Sequence, residues 1–290
     1  MSWTTYLRLG RVSNLPTIWT NVLAGVALAG VSLAPGPLAV LALALSLFYI
    51  GGMYLNDAFD REIDARERPE RPIPAGLVRA TTVFATGYGL LAAGLAALAA
   101  EIAWSRQGGY SPTILSGLCL AGLIIFYDAR HKANPWSPLL MGLCRVLVYA
   151  TAAFAVAGRL GVAVVAGAIV LLSYLIGLTY AAKQENLAEV RNLWPLLFLG
   201  APFVYGIPAL TGGRVGAALY LGFLGWVGYA VWLLVRPGRA NFPRAVVSFI
   251  AGISLLDGLL MARAGAPDAA VWGVAGFGLT LVLQRYVRGT

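Results

Sequence analysis

Ten apolar runs divide this chain of 290 residues. Most have the roughly 17–25 residues that a helix needs to cross a lipid bilayer. They cover Leu15–Leu33, Leu38–Asn56 and then 80–100, 112–127, 137–157, 160–182, 193–211, 216–236, 243–263 and 268–284. Inside a bilayer the backbone has no water to bond, so each run has to satisfy its own N–H and C=O groups as a helix. The composition points the same way: 59% of residues are hydrophobic, 11% are charged and the mean hydropathy is +0.77, more apolar surface than a soluble domain needs. The expected fold is all-α, a polytopic membrane bundle of about nine or ten transmembrane helices, read as one domain over residues 1–290. The 112–127 run is the shortest, and the last two runs could be one span plus a surface segment. Ala27-Leu28-Ala29 has the form of a signal-peptidase site, but the stretch before it is long for a leader and another span follows at once.

Charge and rare residues exclude several classes. Cys119 and Cys144 both lie in apolar runs, as small buried hydrophobes do, and outline no disulfide framework. His131 stands alone, which disfavours a histidine-built metal site or a Ser-His-Asp arrangement, and neither a phosphate-binding loop nor a dinucleotide fingerprint is present. The net charge of +9 reflects membrane topology and anionic lipid rather than nucleic acid. Sixteen of the 21 Lys and Arg residues fall on one side of the alternating spans and four on the other, with Arg145 inside a span. Cytoplasmic loops carry such an excess, so the N-terminus and the loop after the second run are assigned to the cytoplasm of an inner (cell) membrane.

That loop, Asn56–Gly76, is where chemistry concentrates. It reads NDAFDREIDARERPERPIPAG. On a helix Asn56, Asp60 and Asp64 stack along one face and Asp57 sits beside them. Three carboxylates this close repel unless something cationic lies between them. A hard divalent cation that keeps some waters and bridges to a substrate phosphate fits the role. Arg61, Arg66, Arg68 and Arg71 follow, then a stiff Pro72–Pro74 turn that ends at Gly76. Asp57, Asp60 and Asp64 are expected to point together into one polar cavity.

The N-D-x-x-D-x-x-x-D pattern followed by Arg71-Pro72-Ile73-Pro74-Ala75-Gly76 resembles the first signature of the UbiA family of intramembrane prenyltransferases, and Leu7-Arg8-Leu9-Gly10-Arg11 with Trp19 resembles the start of such chains. The resemblance implies helices around a central cavity in which two aspartate-rich motifs hold, through Mg²⁺, the diphosphate of an isoprenyl donor. The C–O bond ionises and the allylic cation alkylates a lipophilic acceptor, aromatic or lipid-like. The implied catalytic and metal-binding residues are Asp57, Asp60 and Asp64. The implied partners are the isoprenyl diphosphate donor, the acceptor and membrane lipids.

The chain departs from the family where a second aspartate pair is usual. That stretch reads TYAAKQENLAE, with Glu185 and Glu189 at i and i+4. These two can bind a second metal, with Glu185 catalytic, or merely pair with Lys183 and Arg191. At 127–132, YDARHK stands in place of the usual Tyr-Pro-x-x-Lys-Arg, so Asp128 occupies a proline position. Asn56, Arg68, Arg71, Tyr127, Lys132, Arg145, Tyr180 and Lys183 are the expected substrate contacts. Met141–Arg145 is similar to the EboC-like branch of the family. Charged residues inside spans are expensive and usually face a cavity or a partner. Arg145 is therefore read as a diphosphate or acceptor contact, with a snorkel to the cytoplasmic headgroups as the plainer alternative, and Asp257 as a structural hydrogen-bonding or ion-paired group rather than a catalytic one. The competing reading is a non-catalytic or transport-type protein on the same fold, favoured by the intramembrane charges and the altered second motif.

Overall fold

The computed structural model describes residues 3–106, 109–132, 134–184, 194–236 and 241–287. Every regular element among them is helical. A short α1 (Trp3–Leu9) and a 3₁₀ turn (Val12–Asn14) lead into α2 (Pro16–Leu28), α3 (Pro35–Glu67), α4 (Ala80–Ser105), α5 (Tyr110–Arg130), α6 (Ser137–Ala157) and α7 (Val162–Gln184). After two 3₁₀ segments that flank α8 (Ala201–Gly206) come α9 (Arg214–Val235), α10 (Asn241–Arg263) and α11 (Pro267–Tyr286).

Each of the ten apolar runs contains a helical segment, but among the described residues seven helices, α3 to α7 with α9 and α10, are long and apolar enough to cross a membrane. The difference has local causes. The first run yields the 13-residue α2, because the chain turns at Gly30 with φ of 71°. The 193–211 run is broken by Pro195, Pro202 and Pro208, each of which removes a backbone donor. The 112–127 run gains a turn and becomes the 21-residue α5. The last two runs form separate helices, α10 and α11, parted at Gly265 with φ of 83° and restarted at Pro267.

Helix α3 positions the site. Its 33 residues extend about 50 Å at 1.5 Å per residue, well beyond a hydrocarbon core of about 30 Å. It is too long to lie wholly within such a slab, and its charged residues, the aspartates among them, are all in its C-terminal turns. Its most extensive neighbour is α4. The two backbones come close where small residues meet: a Cβ on Gly51 would lie 2.9 Å from the Gly87 carbonyl oxygen, and one on Gly94 2.9 Å from the Phe48 ring. One apolar core gathers around Phe48, Leu41 and Leu120 in the first half of the chain. A second gathers around Tyr174, Phe223 and Phe249 in the second half. Between them lies a cavity of about 590 Å³, walled by α2, α3, α5, α6, α7 and α10.

Candidate active site

The cavity is apolar over most of its depth, where Ile18, Phe48, Leu120, Ile124, Val148 and Ile253 line it, and strongly charged at one end. The charged end is built from α3. Asn56, Asp57, Asp60 and Asp64 all lie on its buried side, at 7%, 7%, 4% and 1% exposure, as their spacing requires. Beyond Glu67 the chain turns back on itself. Ala75 N–H donates to the Arg71 carbonyl, Leu77 N–H donates to that of Pro72, and Gly76 adopts φ of 70°. This turn returns Arg71 to the helix it has just left, 2.7 Å from Asp64 and 3.4 Å from Asp57.

Two further elements bring cations to the same row. Arg11, a non-glycine residue at φ of 41°, donates to Asn56 Oδ1 at 3.1 Å and to Asp57 Oδ1 at 3.2 Å. Its own carbonyl accepts from the Tyr49 hydroxyl at 3.1 Å. A left-handed arginine costs on the order of 1 kcal/mol and persists where its surroundings over-determine it. Burial works against the Arg11 charge, yet Asp57 beside it leaves the guanidinium pKa raised. From the end of α5, Lys132 Nζ lies 3.2 Å and His131 Nε2 3.5 Å from Asp60 Oδ2. The His131 ring stacks on Tyr127 at 4.9 Å.

These pairings correct one expectation. Asp57, Asp60 and Asp64 are gathered at one site, but Arg11, Arg71, His131 and Lys132, not the aspartates, line the cavity. Like charges stacked on one helix face need neutralising, and the cations have come between them and the open space. The exception among the acids is Asp128, on α5. It lines the cavity directly at 4% exposure, accepts from Asn56 Nδ2 at 3.2 Å through Oδ1, and has no partner at Oδ2 among the described residues.

A family model described as the UbiA prenyltransferase family matches residues 18–253. The chain belongs to that family. Nothing in the match singles out the EboC-like branch. No curated protein matches the sequence. Solved UbiA-type structures share the fold at low identity. The structure of a digeranylgeranylglyceryl phosphate synthase in membranes is 19% identical, with a TM-score of 0.62 over 91% of this chain and 98% of that one. A UbiA homologue from Aeropyrum pernix K1 is 16% identical, with a TM-score of 0.56 over 89% and 96%. A homologue from Archaeoglobus fulgidus bound to DMAPP and Mg²⁺ is 16% identical, with a TM-score of 0.54 over 96% and 99%.

Within this UbiA fold the remaining expected contacts divide. Arg68, Arg71, Tyr127, Lys132, Arg145 and Lys183 all line the cavity. Tyr180 is not among the lining residues: Leu178, Thr179, Ala182 and Lys183 take that face of α7, and one residue's turn of 100° carries Tyr180 off it. Glu185 and Glu189 lie outside the described residues. Arg145 donates to Asn21 Oδ1 at 2.8 Å, and its guanidinium lies 5.6 Å over the Tyr49 ring. Asn21 in turn donates to both oxygens of Asp257, at 2.8 and 3.0 Å, and the Thr20 and Tyr149 hydroxyls donate to the same carboxylate.

Three contributors are not legible as such in the sequence. Arg11 stands in an N-terminal pattern that assigns it no role. His131 has no second histidine to suggest a ligand pair. Asp128 shows only as a departure from a pattern. As to a metal, no three His, Cys, Asp or Glu among the described residues are close enough to form a metal cage. Mg²⁺ does not need one: it takes one or two carboxylates, substrate phosphate oxygens and several waters. The all-oxygen acids of this rim and the unpartnered Asp128 Oδ2 fit that demand.

Proposed function

We propose that this UbiA-family protein transfers an isoprenyl group from an isoprenyl diphosphate to a lipophilic acceptor within the membrane. The reading makes the reaction Mg²⁺-dependent and opens the site to the cytoplasm. The observation that carries it is a juxtaposition at one end of an otherwise apolar chamber: Arg11, Arg71, His131 and Lys132 line the cavity there, backed by the buried carboxylates they pair with. An amphiphile with a multiply charged head and a hydrocarbon tail matches both parts. Family membership supports the reading, as do the Archaeoglobus homologues bound to DMAPP or GPP with Mg²⁺. The cytoplasmic assignment rests on the basic-residue bias.

In this reading Asp57, Asp60 and Asp64 would hold Mg²⁺, which supplies Lewis-acid neutralisation of the leaving diphosphate. Arg68, Arg71, Lys132 and Lys183 donate to its oxygens, and Arg11 and Arg71 exchange carboxylate for phosphate partners as the head enters. Tyr49, Tyr127 and Phe48 line the cavity, and their faces would shelter the positive charge that develops on the allylic carbon. The apolar walls keep water from quenching that charge. The transport-type alternative draws on intramembrane charge. The Arg145–Asn21–Asp257 hydrogen bonds account for that charge within the fold.

The test is incubation of the purified protein with Mg²⁺, isoprenyl diphosphates of graded length and a membrane lipid extract, followed by mass spectrometry. The expected outcome is a product heavier than one extract component by the whole isoprenyl group of the donor supplied less one hydrogen, with diphosphate and a proton released. No product and no diphosphate release with any donor would overturn the reading.

A further inference from the structure

We propose that Asp128 supplies the carboxylate that faces the first aspartate motif and completes the Mg²⁺–diphosphate site of this chain. The inference rests on the proposed function. The other acids of the rim are paired: Asp57 with Arg11 and Arg71, Asp60 with Lys132 and His131, and Asp64 with Arg71. Asp128 makes no ion pair among the described residues. One of its oxygens is held by Asn56 across the α3–α5 contact, while the other is buried without a partner in the cavity wall.

A buried carboxylate oxygen with no donor is costly, and buried carboxylates usually have both oxygens satisfied. Asp257 shows that this fold can do so, because three side chains saturate it. A carboxylate oxygen left without a donor, one hydrogen bond from Asn56 and on a different helix from the motif, is placed to receive a hard cation. Mg²⁺ would then be held from α3 and α5 at once, with diphosphate and water filling its remaining positions. This gives the chain a facing carboxylate without calling on Glu185 or Glu189. The altered second motif then ceases to count against catalysis.

Binding of Mn²⁺, a spectroscopic stand-in for Mg²⁺, separates this role from a structural one. Electron paramagnetic resonance of the full chain in detergent, with geranyl diphosphate, reads metal affinity. Calorimetry in EDTA reads metal-free geranyl diphosphate binding. Asp128→Asn is expected to weaken Mn²⁺ binding at least about tenfold. In EDTA the same variant should bind geranyl diphosphate as tightly as wild type or more tightly, since one charge that repels the head is gone. Asp128→Ser, which also removes the charge but leaves a hydroxyl for Asn56, should show the same split. Glu185→Gln/Glu189→Gln should keep wild-type Mn²⁺ affinity. The assignment is overturned if Asp128→Asn leaves Mn²⁺ affinity intact, if it weakens binding equally with and without metal, or if the double glutamine variant carries the loss instead. If wild type itself binds geranyl diphosphate with no dependence on metal, the Mg²⁺-dependent function fails and takes the Asp128 assignment with it.

Discussion

Two polar clusters share this bundle, and they are finished to different degrees. The inner one joins α2, α6 and α10. Thr20, Asn21 and Tyr149 saturate Asp257, and Asn21 passes the connection on to Arg145. Asp257, Asn21 and Tyr149 are all 0% exposed. The outer cluster, at the charged end of the cavity, is made of ion pairs whose cations are partly open, with Lys132 at 41% side-chain exposure and Arg71 at 16%, and it leaves Asp128 Oδ2 unpartnered. Buried polar groups that satisfy one another specify packing. Charges left exchangeable are available to a ligand. The difference teaches which cluster should fail by unfolding and which by losing its substrate.

The largest effect is expected at the inner cluster. Asp257→Ala strands the donors of Thr20, Asn21 and Tyr149 and removes the anion opposite Arg145. The expected loss of stability is about 3–5 kcal/mol, read as a fall in unfolding midpoint in detergent. Asp257→Asn, which keeps an acceptor, should lose less. If Asp257→Ala unfolds like wild type but no longer binds geranyl diphosphate, the two clusters have been assigned the wrong way round.

Next comes Asp60→Asn, at the outer cluster. Mg²⁺-dependent affinity for geranyl diphosphate should fall roughly a hundredfold, while stability changes by less than about 1 kcal/mol. Lys132 can turn out to water, and losing one charge relieves repulsion along α3. Calorimetry with and without Mg²⁺, beside an unfolding curve, reads both quantities. Unchanged affinity in Mg²⁺ would remove Asp60 from the metal. A smaller loss is expected for Arg71→Gln: inorganic diphosphate without metal should bind about tenfold more weakly, because one charged donor of several has gone. An Arg71→Gln protein that binds diphosphate like wild type but melts early would make the Arg71–Asp64 pair a brace.

How far the sequence reveals this contrast follows from the range of each interaction. The acidic row is readable because Asn56, Asp57, Asp60 and Asp64 obey one helix's periodicity. The apolar runs are readable because bilayer thickness sets their length. The breaks inside 193–211 come from prolines, which shorten helices without lowering the hydropathy that marks a span. What pairs with the acids is not readable: His131 and Lys132 reach Asp60 from another helix, and Arg11 reaches Asp57 from 46 residues away. Nor does a lone Asp128 or Asp257 announce from sequence whether its oxygens are satisfied. That depends on what several helices bring to one point. Tyr180 misses the cavity by a single residue, which on a helix is enough to change faces.

The smallest effect tests whether the outer cluster's geometry is set by a local turn or by its ion pairs. Gly76 ends the turn that returns Arg71 to α3, at φ of 70°, and a Cβ added there would meet nothing within 4 Å. Space is therefore not the obstacle to a side chain; backbone conformation is. Gly76→Ala should cost about 1 kcal/mol through the left-handed φ alone, and Gly76→Asn less, since asparagine tolerates that region. If the turn merely closes the loop, Arg71 stays bound to Asp64 and diphosphate affinity in Gly76→Ala stays within about twofold of wild type, because the 2.7 Å ion pair fixes the guanidinium whatever the turn loses. If Gly76→Ala instead matches the affinity loss of Arg71→Gln, the turn itself aims Arg71, and the ion pair with Asp64 is a consequence of that aim. Restoration of affinity in Gly76→Asn would then confirm that backbone conformation, rather than the added side chain, was responsible.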